Sequence, residues 1–214
     1  MSKELFKRIL SSIIMVPIIL FVILQGSYLF IIFILICFIL SSYEWHRMSK
    51  NKFYKFIGFI LLIISFYSFY KIRIEYALDY ILLVLLICIS TDIGGYTFGK
   101  ILGGPNLTKI SPNKTYAGTT GGYFLSILSS YIYLELLNMN SIFVFNKSIL
   151  LIIIVISTVS QLGDIFISYF KRVSKIKDTG KIIPGHGGIL DRIDGMIFVF
   201  PIVYLLFQLD LFSI

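Results

Sequence analysis

Apolar residues fill this chain in long blocks instead of alternating with polar ones. The blocks run Ile9–Leu24, Tyr28–Ser42, Phe53–Tyr70, Tyr76–Ser90, Gly118–Leu137, Ser148–Phe170 and Met196–Phe212. A helix needs about 20 predominantly apolar residues to cross a hydrocarbon core ~30 Å thick. The pattern predicts seven transmembrane helices packed as an all-α, polytopic integral membrane bundle. Two blocks, Tyr28–Ser42 and Tyr76–Ser90, are short for a span and must draw on flanking residues. The first block follows a basic stretch, as in a signal peptide, yet no small-residue cleavage site closes it. It reads as a retained signal anchor.

Charge then sets an orientation. Lys and Arg concentrate on the cytoplasmic side of membrane proteins. With the N-terminus cytoplasmic, 16 of the 19 cations fall on that face, and Lys71, Arg73 and Lys147 fall outside it. The net charge of +8 is therefore largely the charge of one face, suited to anionic lipid. No nucleic-acid motif accompanies it, which argues against a nucleic-acid partner. Cys37 and Cys88 lie in apolar blocks without metal-ligand spacing and read as buried thiols. The chain divides into N-terminal transmembrane helices over 1–75 and a catalytic transmembrane region over 76–214, with cytoplasmic loops 91–117 and 171–195.

The candidate chemistry lies in those two loops. Residues 168–194 hold six cations, three acids, one His and four Gly. Five of the 11 acids, Asp92, Asp164, Asp178, Asp191 and Asp194, converge on the cytoplasmic side. Ionisable groups within or at the edge of a span are costly and mark function. Asp164, Ser168 and Lys171 fall at i, i+4 and i+7 on one helix face. An Asp164–Lys171 pair that pins two helices is the plain alternative to a catalytic role. Asp191 and Asp194 are three apart, and two carboxylates on one face repel unless a cation separates them. That points to Mg²⁺, against the alternative of acids at a helix N-terminus. Gly185, Gly187 and Gly188 flank His186 in a loop without side-chain bulk, where backbone amides can approach a phosphate. Ser111, Asn113, Lys114 and Thr115 form a hydroxyl- and cation-bearing turn ahead of a helix, without Walker A spacing.

The run Ser168-x-x-Lys171-Arg172-x4-Lys177-Asp178-x-Gly180-x2-Ile183-Pro184-x-His186-Gly187-Gly188-x2-Asp191-Arg192-x-Asp194 resembles the signature of the phosphatidate cytidylyltransferase (CDP-diacylglycerol synthase) family. Gly163-Asp164 and the segment from Ser111 to Gly122 are similar to that family too. Motifs cover the chain from about Ser90 onward, and hydropathy alone covers the rest. Two positions depart from the family pattern: Ala117, where an acid is frequent, and Gly195, where Ser is frequent. The chain is also short for the family, at its N-terminal end.

The resemblance implies a Mg²⁺-dependent nucleotidyl transfer from CTP to phosphatidic acid, giving CDP-diacylglycerol and pyrophosphate at the cytoplasmic face of a bacterial inner membrane, and it allows a homodimer. It implies that Asp164, Asp191 and Asp194 hold metal, with Asp178 as a further ligand. Lys171, Arg172, Lys177 and Arg192 would contact phosphates of CTP or of the lipid. His186 and the loop glycines would shape the phosphate pocket, and Ser111, Asn113, Lys114 and Thr115 would bind nucleotide. A CTP-dependent lipid kinase, an ion-coupled transporter and an inactive lipid-binding scaffold are the competing readings. A transporter would spread its acids through the membrane depth, whereas these gather at one face.

Overall fold

A computed structural model describes residues 3–108, 111, 114–138, 145–183, 185 and 187–211, with side chains from Ser11 onward except that of residue 12. The helices are α1 (Lys3–Gln25), α2 (Ser27–Met48), α3 (Lys52–Glu75), α4 (Leu78–Leu102), α5 (Tyr116–Asn138), α6 (Lys147–Val173), the single turn α7 (Leu190–Ile193) and α8 (Met196–Gln208). Seven of them coincide with the seven apolar blocks. Among the described residues there is no strand, only the isolated bridges Asn106–Thr115 and Ile183–Gly187. Helices α2, α3, α4 and α6 are each long and apolar enough to cross a bilayer. Large apolar side chains also cover the outside, as at Ile39, Phe56, Leu151 and Leu162. Such a surface is unstable in water and stable in lipid. The chain is an integral membrane protein.

Helix ends show why the blocks start and stop where they do. Asn51 Oδ1 accepts the Phe53 amide at 2.9 Å and caps α3, and Asn146 Oδ1 accepts the Ile149 amide at 2.9 Å and caps α6. Gly26, with φ 64°, turns α1 into α2. The α1 carbonyls left open there are taken by Arg73 from α3: Nε donates to Ile23 O at 2.8 Å and Nη2 to Leu24 O at 3.2 Å. That guanidinium is a helix cap supplied from 50 residues away, a role for Arg73 that topology counting did not suggest.

The apolar core joins α1, α2, α3, α4, α5, α6 and α8 through residues such as Phe30, Ile72, Ile87, Leu134, Ile153 and Val203. A second cluster around Trp45, Leu62, Phe170 and Leu190 lies below the site. Trp45 lies against Gly58, where a methyl would collide with the indole, and its Nε1 donates to Tyr54 O at 3.1 Å.

The largest departure from the sequence-based expectation concerns α4. Residues 91–102, expected as the start of a loop, are three further turns of helix. Their glycines are contact points, not breakers. A methyl on Gly118 would lie 2.7 Å from Gly95 O, and one on Gly94 would strike the backbone at Gly121. Helices α4 and α5 thus touch backbone to backbone, as small residues permit between membrane helices. Hydroxyls then join these two to α6: Thr91 Oγ1 donates to Ser157 Oγ at 2.9 Å, and Tyr123 OH lies 2.8 Å from Thr158 Oγ1.

Candidate active site

The chemistry-bearing segments meet at one end of the bundle, where α2, α5 and α8 present one terminus each beside the ends of α4 and α6. A cavity of about 290 Å³ opens there between α4, α5 and α6. Asp92 comes from the extended part of α4, Asp164 from α6, and Lys114 and Thr115 from the turn before α5.

Local folding sets these positions. Leu107 N donates to Lys114 O at 2.6 Å, Tyr116 N to Pro105 O at 3.2 Å and Lys114 N to Ser111 O at 3.0 Å, closing a compact loop. Thr115 Oγ1 accepts the Gly118 amide at 3.0 Å and caps α5. The N-terminus of α5, with Gly118 and Thr119 on the cavity wall, therefore carries its partial positive charge toward the cavity. Lys114 Nζ lies 2.6 Å from Asp164 Oδ2. Ser168 Oγ donates to Asp164 Oδ1 at 3.3 Å, so the expected shared face of 164 and 168 is present.

Lys171 does not pair with Asp164. Its Nζ lies 3.0 Å from Asp191 Oδ1 and 3.9 Å from Asp194 Oδ2. A cation does separate the two carboxylates, and it is this ammonium. Asp191 is otherwise fully engaged. Its Oδ2 accepts from Thr179 N at 2.8 Å, Thr179 Oγ1 at 3.0 Å and Gly188 N at 3.0 Å. A carboxylate with that many donors has little capacity left for a metal. In this arrangement protein donors occupy the Asp191 oxygens and tie the carboxylate to the loop.

Asp194 is different. Gly195 N donates to its Oδ1 at 3.0 Å. Burial pushes its carboxyl well above the usual carboxylate range, and the charge on Asp164 adds to that push; Lys171 opposes it and Asp92 reinforces it. Three carboxylates from three segments, Asp92, Asp164 and Asp194, thus share one electrostatic neighbourhood. As they stand, no three acids, histidines or cysteines among the described residues enclose an ion position. All three are hard oxygen donors with mutual repulsion, the donor set that suits Mg²⁺.

The loop 174–189 is held by a residue that sequence reading missed. Glu44, in α2, is 1% exposed. Its Oε1 accepts from Ile189 N at 3.1 Å, and its Oε2 from Leu190 N at 2.8 Å and Thr179 Oγ1 at 3.0 Å. Gly180 and Gly188 pack on the same carboxylate, and a methyl at either would collide with it. Two signature glycines thus make room for Glu44. Gly187, with φ 89°, and Gly185, with φ 77°, occupy the left-handed region. Arg172 in the last turn of α6, Lys177 and Asp178 in the loop, and Arg192 within α7 are exposed. His186 and Asn113 lie outside the described residues. Gly195, one of the two departures from the family pattern, abuts α6: a methyl there would lie 2.8 Å from Ser160 O. Its hydrogen suits a tighter α6–α8 contact than Ser would allow.

The cytidylyltransferase family model matches residues 6–75 and 53–210, most of the chain. The chain belongs to the cytidylyltransferase family. Its relatives include proteins named phosphatidate cytidylyltransferase from Staphylococcus aureus strain COL, 42% identical over 177 residues, and from Staphylococcus haemolyticus strain JCSC1435, 40% identical over 179 residues. A third, from Staphylococcus saprophyticus, is 40% identical over 176 residues. Each match takes in 79% of this chain and 65% of the relative. The chain therefore spans just under two thirds of the length of the curated relatives it matches. Family membership agrees with the cavity: clustered acids and cations beside a helix N-terminus suit a nucleotide's phosphates.

Proposed function

We propose that this cytidylyltransferase is a phosphatidate cytidylyltransferase, converting CTP and phosphatidic acid to CDP-diacylglycerol and pyrophosphate. One observation carries the reading most: the cavity that places Lys114, Asp164, Asp92 and the α5 N-terminus together opens at the end of apolar helices, beside the Lys171–Asp194 pair. A polar nucleotide and a lipid phosphate can meet only at such a boundary. The names of the Staphylococcus relatives support the same substrates. Seven spans with a cytoplasmic N-terminus, in a bacterial inner membrane, would put this end on the side where CTP is found.

A phosphate oxygen of the lipid attacks the α-phosphorus of CTP. The new P–O bond forms as the bond from the α-phosphorus to the bridging oxygen of the β-phosphate breaks, and pyrophosphate leaves with that electron pair. The nucleophile is already ionised, so no strong base is needed. Catalysis is positioning plus charge neutralisation. The α5 N-terminus and Lys114 receive nucleotide phosphates, with Ser111 and Thr115 around them. Lys171 holds Asp194 in place and, with Arg192, Arg172 and Lys177, provides positive charge for the lipid phosphate and the departing pyrophosphate. Asp164 and Asp194, with Asp92, are the groups that would hold Mg²⁺. The ion would supply neutralisation of the triphosphate's charge.

Purified protein with phosphatidic acid and CTP should transfer α-phosphate label into lipid and leave γ-label in pyrophosphate. Entry of γ-label into the lipid instead would replace this reading with a CTP-dependent lipid kinase.

A further inference from the structure

A second cavity of about 210 Å³ lies on the other side of α4, between α1, α2, α3, α4 and α8. Its floor includes Ile23, Phe69 and Phe200, each at most 7% exposed. It runs along the helix axes. Leu85 and Ile89 on α4, Ser65 and Phe69 on α3, and Met196 and Phe200 on α8 are each one turn apart, about 6 Å of rise, and Val16 to Ile23 on α1 adds about 10 Å. A groove of this direction lies parallel to lipid tails.

Its two ends differ. At one lies Arg192, the charged residue of its lining, beside Ile193, Met196 and Ile89. That is also the end facing the polar cavity. Asp92, on the wall of the polar cavity, is three residues along α4 from Ile89, and Asp194 is two residues from Arg192. An anionic headgroup at Arg192 therefore sits within reach of the carboxylate–lysine cluster while its tail extends away between α1 and α8.

We propose that this cleft takes one acyl chain of the phospholipid substrate, with Arg192 marking where its phosphate sits. The assignment rests on the proposed function for the identity of the lipid. It makes Cys37 on α2 and Leu20 on α1, on the cleft's walls, determinants of chain length. An apolar pocket closed by one placed charge is the arrangement expected for an amphipathic ligand. Each buried methylene adds to affinity, so filling the cleft with protein must penalise long chains most.

The test compares dioleoyl with dihexanoyl phosphatidate as substrates for wild type, Cys37→Phe, Leu20→Trp and the lipid-facing control Leu151→Trp. Cys37 is half-buried in the cleft, whereas Leu20 is 41% exposed at its rim and accepts bulk without disturbing the core. Both cleft variants should lower kcat/KM at least tenfold for the dioleoyl lipid and under twofold for the dihexanoyl one. The KM for CTP should stay constant, and the control should match wild type. Equal losses for both lipids, or none, would overturn the assignment. If wild type makes no CDP-diacylglycerol, the functional reading fails on its own, and the cleft is judged by dioleoyl phosphatidate retained in native mass spectrometry. Retention that falls in both cleft variants supports it, and unchanged retention overturns it.

Discussion

Replacing Glu44 with Ala should cut the signature loop from the bundle without unfolding the bundle. The carboxylate accepts two backbone amides and one hydroxyl in a position that water does not reach. Each donor left unsatisfied costs about 1–3 kcal/mol. Partial relaxation of an exposed loop brings the total for three to about 3–6 kcal/mol. Since 1.4 kcal/mol is tenfold, the opening equilibrium of the loop should rise by at least about a hundredfold. The apolar core clusters around Ile87 and Ile153, away from this contact, so the melting transition should shift little. Lys175, Lys177 and Lys181 are exposed in the loop and supply tryptic sites. Limited proteolysis should therefore cut Glu44→Ala between 175 and 181 far faster than wild type, with cytidylyltransferase activity lost in parallel. Glu44→Gln keeps one acceptor and should fall between the two. Wild-type proteolysis and activity in Glu44→Ala would refute the idea that this buried acid organises the loop.

Asp194 binds a proton more readily folded than unfolded, so its contribution to metal-free stability is full below its unfolded pKa, about 3.9, and fades as pH rises through the raised folded value. Thermal melting of the metal-free protein should decline over that window, and Asp194→Asn should flatten the decline. Because a ligand carboxylate must be ionised, the Mg²⁺ concentration for half-maximal activity should fall as pH rises, and chelation should abolish activity reversibly. Asp191→Asn, by contrast, should accelerate loop proteolysis and lower kcat while leaving the Mg²⁺ dependence unchanged. Gly121→Val should lower the melting temperature by several degrees, since even a methyl there collides with Phe98, and should reduce activity for long- and short-chain lipids alike.

Which parts of this arrangement sequence could reveal follows from the range of the interactions. Apolar blocks are local, and all seven long helices coincide with them. Asp164 and Ser168 share a face because helical periodicity is local as well. Lys171 has that periodicity too, yet its long side chain reaches Asp191 and Asp194 across the chain, where i+7 counting has no information. The turns from 91 to 102 read as loop because Gly94, Gly95 and Gly99 are poor helix formers alone; a second helix at backbone distance makes them favourable. Glu44 stands 135 residues from Thr179 and 146 from Leu190, in no motif. Its one sequence signal is an acid at the apolar end of a span, beside Trp45. Asp92 was visible as a converging acid, and its place on the cavity wall needed the extension of α4.

The glycine contact between α4 and α5 has a mechanical meaning. Side chains at an interface can exchange rotamers and let two helices slide, but backbone resting on backbone has a single way to fit. Thr91, Asp92 and Gly95 on one helix, and Lys114, Thr115 and Gly118 at the start of the other, therefore keep a fixed spacing, like two faces of one jaw. The opposing wall, α6, meets that jaw through hydroxyl pairs that can part and re-form. The width of that jaw, and with it the separation of Asp92 from Lys114 and its partner Asp164, is thus set by two helix backbones and not by side chains.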